Sequence, residues 1–135
     1  MTICIIGGGS LGHVCAGVFA SKGTKVNIFS QHPEAWGKEI IVTDINGKPY
    51  IGHIDKISSN PGDVIPNADM VFMCLPGFLI EQSLESIKPY LSPNTVVGSI
   101  VSSTGFFFCA HKILPSKTPL FGFQRTPFIA RVSEY

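Results

Sequence analysis

Apolar residues fall along this chain in two textures. Short continuous runs bounded by glycine, proline or asparagine read as buried strands. Runs with apolar residues every three or four positions read as helices. Residues 2–6 (Thr-Ile-Cys-Ile-Ile) are of the first kind. In residues 10–22, Leu11, Val14, Cys15, Val18 and Phe19 recur at helical spacing, so that face is expected on a sheet and His13 at the surface opposite. Gly23 ends the helix and 25–30 is a second strand. Residues 33–38 open as a short helix with Pro33 at its first position. Residues 39–43 and 48–53 flank Asp44-Ile45-Asn46-Gly47, and Asn-Gly is a strong hairpin signal. Pro49 makes the second of these strands an edge, and His53, at its end, reads as structural.

The pattern then resumes. Residues 54–58 read as a third parallel strand and 59–67 as turn, helical turn, turn. Residues 70–75 are almost wholly apolar, as a central parallel strand buried on both faces should be. Residues 79–90 form a helix with Glu81 and Glu85 in its N-terminal half. Residues 95–101 are a fifth strand, in which Gly98 marks a close approach. Residues 106–114 are a helix whose three successive phenylalanines read as core. Strands at 120–123 and 128–132 end the chain. Strands alternating with helices place the fold in the α/β class, with a mostly parallel sheet, helices on both faces and a small hairpin insertion.

The turn after the first strand adds chemistry. Gly7-Gly8-Gly9-Ser10-Leu11-Gly12 puts glycines at 7, 9 and 12, the G-x-G-x-x-G spacing of a dinucleotide-binding, or Rossmann, βαβ unit. Gly7 gives the tight turn, Gly9 lets the backbone approach a pyrophosphate, and Gly12 lets the helix lie close on the sheet. The free N–H groups of the first helical turn then face the phosphates. Ser10 is expected as N-cap, its hydroxyl also within reach of a phosphate. The second strand ends at Ser30-Gln31-His32, where an acid would bind the adenine ribose 2′-hydroxyl and select NAD. That acid is missing, and no arginine is present to grip a 2′-phosphate. Lys38 is the nearest downstream cation. The balance leans to NADP, with NAD open. His32 reads as a polar loop residue or a ribose contact, and Trp36 as a cover for the adenine side or packing under the loop.

Composition narrows the rest. The chain has 135 residues, 44% hydrophobic and 14% charged, with net charge +1 and no basic run, so nucleic acid and anionic membranes are not expected partners. Its length suits one domain, residues 1–135. Cys4, Cys15, Cys74 and Cys109 form no C-x-x-C pair and read as buried free thiols in a reducing cytosol, with no metal site. No signal peptide or membrane span is expected.

Taken together, the chain resembles the N-terminal domain of the octopine/nopaline (opine) dehydrogenase family. The segments that carry this are Cys4-Ile5-Ile6-Gly7-Gly8-Gly9-Ser10 with Gly12-His13, Ala68-Asp69-Met70-Val71, Leu75-Pro76-Gly77-Phe78, Pro89-Tyr90-Leu91, Ser102-Ser103-Thr104-Gly105-Phe106 and Phe123-Gln124-Arg125-Thr126-Pro127-Phe128. The glycine motif and the Ala-Asp strand are shared with ketopantoate reductase and glycerol-3-phosphate dehydrogenase. The resemblance implies an enzyme that joins an amino acid to a 2-keto acid as an imine and reduces it with hydride from NAD(P)H. It implies that Gly7, Gly9, Ser10, Leu11 and Gly12 hold the pyrophosphate. Ser30 and Gln31 lie at the ribose, and Leu75, Pro76 and Phe78 line the adenosine side. Ser102 and Thr104 would lie near the nicotinamide, and Ser103 and Gln124 would face substrate. Family members often carry Gln at 103 and an acid at 124. Gln124 cannot pair ionically with a guanidinium, which puts an arginine-like substrate in doubt. The family's catalytic histidine and its acidic partner belong to a second domain, which is not in this chain. His111 does not replace them, so this chain is expected to bind cofactor without turnover. Two other readings stay open: a ketopantoate-reductase-like 2-keto or 2-hydroxy acid oxidoreductase, and a free-standing NAD(P)-binding regulatory module, possible as a homodimer.

Overall fold

The computed structural model describes residues 1–102 and 105–133. Its elements are β1 (Thr2–Ile6), α1 (Ser10–Ser21), β2 (Lys25–Phe29), β3 (Glu39–Thr43), β4 (Pro49–His53), β5 (Lys56–Ser58), α2 (Pro61–Val64), β6 (Met70–Met73), α3 (Ile80–Ile87), β7 (Val96–Ser99), α4 (Gly105–Ile113) and β8 (Leu120–Gly122). Six strands form one sheet in the order β5-β2-β1-β6-β7-β8, each neighbouring pair parallel. That is the doubly wound order with its switch point between β1 and β6.

Side chains alternate between the sheet's faces. On one face Cys4, Ile6, Val71, Met73 and Val97 pack with Val64, Leu84, Ile87, Phe106, Ala110 and Ile113 from α2, α3 and α4. On the other, Ile3, Ile5, Val26, Ile28 and Phe72 pack with Cys15 and Ala16 of α1. Helices therefore cover both faces. The Phe121 ring sits where a Cβ on Gly98 would stand, which is the close approach expected there. Cys4, Cys15 and Cys74 are buried free thiols; burial pushes Cys4 up to about 12.

β3 and β4 form a separate antiparallel hairpin. It lies against α1, whose buried residues are mainly small: Gly12, Cys15, Ala16 and Gly17. A Cβ on Gly52 would run into the Gly17 carbonyl and come within 2.8 Å of the Ala20 Cβ, so two glycines bring hairpin and helix into backbone contact. Asp44 closes the tip, its Oδ1 accepting the N–H groups of Asn46 (2.8 Å) and Lys48 (3.0 Å), while Gly47 takes φ +79°. Ile45 there is fully exposed.

Three expectations change. Val14 and Val18 of α1 line a groove on its outer side, shared with the hairpin and residues 128–133, because α1 is covered on two sides rather than one. Of the three phenylalanines in α4, Phe106 is buried, whereas Phe107 and Phe108 are exposed, since consecutive helical residues cannot share a face. Residues 128–132 form no strand. They cross the start of α1 instead, where the Val132 N–H donates to the Ser10 Oγ (3.2 Å) and Phe128 packs against the core.

Candidate functional site

The C-terminal ends of β1, β2 and β6 meet at the switch point. There the Gly7 N–H donates to the Phe29 carbonyl (3.3 Å) and the Cys74 N–H to the Ile6 carbonyl (2.7 Å). Between these ends opens a cleft of about 560 Å³. Its floor is Ile6 and Phe29, one lip is Gly7, Gly8 and Gly9, and its walls include Ser30, Gln31, Trp36, Leu75 and Leu79.

The three motif glycines differ in what they require. Gly7 has φ +117°, and a Cβ there would stand 2.5 Å from the Cys74 carbonyl oxygen. A Cβ on Gly12 would collide with the carbonyl of Gly7, so Gly12 is what seats α1 against the loop. Gly9 is unlike both. Its backbone is extended (φ −84°, ψ −177°), and a Cβ there would meet nothing within 4 Å. Neither conformation nor packing demands glycine at 9. The open space beside its backbone is room for a ligand.

Gly9, not Ser10, is the N-cap of α1, and glycine offers no side chain to cap that end. Ser10 is the first helical residue, and its Oγ takes the Val132 N–H, which corrects the expected cap. The first turn of α1 carries no acid. The N–H groups of a first helical turn have no partner within the helix, so here they can serve a ligand's anion.

Around the cleft, Ser30 is buried and its Oγ accepts the His32 N–H (3.2 Å). Gln31 is exposed on the rim. Leu75 lines the wall, but Pro76 and Phe78 are exposed outside the lining, because the chain turns at 77–79 and presents Leu79 instead. Gln82, Ser83 and Ser86 continue that wall and were not anticipated. Their signal was available: with Leu79 they sit at helical spacing on one flank of α3, uncharged among Glu81, Glu85 and Lys88. The lining carries no lysine, arginine or carboxylate among the described residues. Lys38 is outside it. Ser102 lies at the ligand-facing end of β7, its hydroxyl donating to the Phe123 carbonyl, with Gln124 exposed beyond. Ser103 and Thr104 lie outside the described residues.

Trp36 packs against the glycine loop, 8% exposed, its ring stacked on that of His13. His13, expected at the surface, is half-buried, and burial lowers its pKa from 6.5, partly offset by hydrogen bonds to the Gly9 and Gly8 backbone.

The family model for ketopantoate reductase PanE/ApbA matches residues 3–105, most of the chain and all of the cleft. The chain belongs to the ketopantoate reductase PanE/ApbA family. Over its full length the chain is similar to opine dehydrogenases. It is 27% identical to the opine dehydrogenase of Haliotis discus hannai, over all of this chain and 38% of that protein. It superposes on octopine dehydrogenase in complex with NADH and agmatine with a TM-score of 0.86 at 25% identity, over all of this chain and 38% of that one. A PanE/ApbA ketopantoate reductase from Ralstonia eutropha shares the fold, with a TM-score of 0.69 at 18% identity over 90% of this chain and 40% of that one. The chain spans about two fifths of the length of these relatives (38%). Among the described residues, no helix is long and apolar enough to cross a membrane.

Proposed function

We propose that residues 1–135 are the cofactor-binding unit of an opine-type dehydrogenase. The cleft at the β1/β6 switch point takes a nicotinamide dinucleotide, its pyrophosphate against Gly7, Gly9 and the first turn of α1. The ribose lies toward Ser30 and Gln31, and the adenosine along Leu75, Leu79 and the flank of α3. The open position beside Gly9 carries this reading. Similarity over the whole chain to opine dehydrogenases supports the choice of reaction, which is reduction of an imine formed from an amino acid and a 2-keto acid. When bound, the reduced nicotinamide supplies the hydride. The chain's own residues bind and orient it. Ser102, Thr104, Ser103 and Gln124 are assigned to the nicotinamide and substrate side.

His32 is the one titratable side chain in the described lining, exposed and paired with Glu34 (3.2 Å), so among the described residues of the cleft no buried acid is placed for protonating an imine nitrogen. Binding without turnover is the expected behaviour. The NADP preference drawn from the missing acid finds no cation in the lining, and NADH, present in the octopine dehydrogenase complex, is the cofactor proposed. The match to the PanE/ApbA model favours a second reading, a ketopantoate-reductase-like 2-keto acid reductase using the same cleft.

Calorimetric titration of the chain with NADH and, separately, NADPH tests the cofactor assignment. NADH should bind, and Gly9→Val should abolish binding while lowering stability only by the roughly 1 kcal/mol that a poorer N-cap costs. Equal NADH binding by parent and variant would overturn the loop assignment.

A further inference from the structure

His13 and Trp36 come from different elements, yet their rings lie in parallel, with centroids 3.8 Å apart and planes 4° from coplanar. Trp36 forms part of the cleft wall, and its Nε1 is 3.7 Å from where a Cβ on Gly8 would stand. His13 holds the loop from the helix side. Its main-chain N–H donates to the Gly9 carbonyl at 3.1 Å, and its ring Nδ1 lies 3.1 Å from the same oxygen. A carbonyl only accepts, so Nδ1 carries the proton of that bond. One carbonyl of the loop is therefore held twice by one residue, and that residue's ring is backed by an indole.

The loop needs such support. Three successive glycines have the largest backbone freedom to lose, and α1 begins with no side-chain cap. A loop that had to be ordered by its ligand would spend binding energy on the ordering, whereas a pre-ordered loop avoids that loss. We propose that His13 is a positioning residue for the pyrophosphate loop and Trp36 the surface it is clamped against. Together they hold Gly8 and Gly9 so that the first-turn amides of α1 stay aimed into the cleft. The proposal rests on the dinucleotide-binding reading above and assigns to that site two residues that touch its loop.

Trp36 is the chain's single tryptophan, so indole emission excited at the red edge, and the longest-wavelength near-ultraviolet dichroism band, beyond the absorption of the three tyrosines and ten phenylalanines, report on the stack. Parent, His13→Ala and His13→Phe are titrated with NADH by calorimetry and with ADP-ribose by indole emission. ADP-ribose is the optical probe because it carries no absorbing nicotinamide. In the parent, ADP-ribose should change the Trp36 emission. His13→Ala should bind NADH about tenfold more weakly, as expected when a buried hydrogen bond and the ring behind it are lost together. His13→Phe keeps an aromatic partner for Trp36 but has no Nδ1 donor. It should retain the near-ultraviolet band and bind about threefold more weakly. If the parent binds NADH and a folded His13→Ala matches it within about twofold, the clamp is wrong and the dinucleotide reading stands. If His13→Ala does not fold, His13→Phe decides on the same terms. If the folded parent binds neither NADH nor ADP-ribose, both readings fall.

Discussion

Gly7 and Gly9 stand two positions apart in one motif and answer to different constraints. Gly7→Ala would force a side chain into a positive-φ conformation and toward the Cys74 carbonyl, 2.5 Å away. It should cost roughly 3 kcal/mol of stability, visible as a lower thermal midpoint without any ligand. Gly9→Val should lower that midpoint far less, by the roughly 1 kcal/mol of a poorer N-cap, and act chiefly on binding. His13 adds a pH dependence. Its folded pKa lies below the ordinary 6.5 because burial disfavours the charged ring. Below pH 6.5 the unfolded chain therefore takes up this proton more readily than the folded one, so stability falls as pH drops from 6.5 through the folded value. His13→Phe should flatten that part of the midpoint-against-pH curve, and an unchanged slope would show that the ring titrates freely. The glycine spacing was legible in the sequence because it is local. The His13–Trp36 stack was not, because the turn after β2 that carries Trp36 back over α1 leaves no periodic signal.

Elements were legible where one constraint dominated. The continuous apolar runs became parallel strands because both faces of the sheet are covered, and Asn46-Gly47 marked the hairpin through its backbone requirement alone. The side of α1 that would be buried was harder to read. Its small residues matter most, because sheet and hairpin press on it from two directions, and a pattern of large apolar residues does not report that. Gly52→Ala tests the contact. The added methyl meets backbone, which cannot step aside, so overpacking of about 1–3 kcal/mol is expected, with faster hydrogen exchange in β3 and β4. By contrast, the Lys112–Glu81 pair joining α4 to α3 is 2.9 Å long but largely exposed and screened by water, and Lys112→Ala should leave the thermal midpoint nearly unchanged. Residues 128–132 misled because a short apolar run looks the same whether it finds a sheet edge or, as here, gives its amide to a serine on a helix.

At the scale of the molecule, the cleft lies where the two halves of the sheet, β5-β2-β1 and β6-β7-β8, meet. A ligand bound there touches both halves and is absent from the unfolded chain. NADH at about a hundred times its dissociation constant should therefore add about 2.7 kcal/mol to stability and raise the thermal midpoint. A midpoint indifferent to saturating NADH would speak against the cleft. The switch point could be located from strand order alone, but the wall supplied by α3 could not, because it depends on how the chain turns after Leu75.

The hairpin has a consequence for how this sheet tolerates change. β3 and β4 lie between β2 and β5 in the chain, yet neither joins the ladder that links those strands. Its tip carries a fully exposed Ile45, which belongs to neither core cluster of the sheet. Lengthening the chain at that point gives up the Asp44 turn bonds to Asn46 and Lys48 but displaces no core group, and a longer flexible loop costs little entropy. A flexible Gly-Ser segment carrying an epitope or a fluorophore site could be spliced between Ile45 and Asn46. The sheet would still assemble, and the inserted segment would become an external handle on a domain whose termini need not be touched.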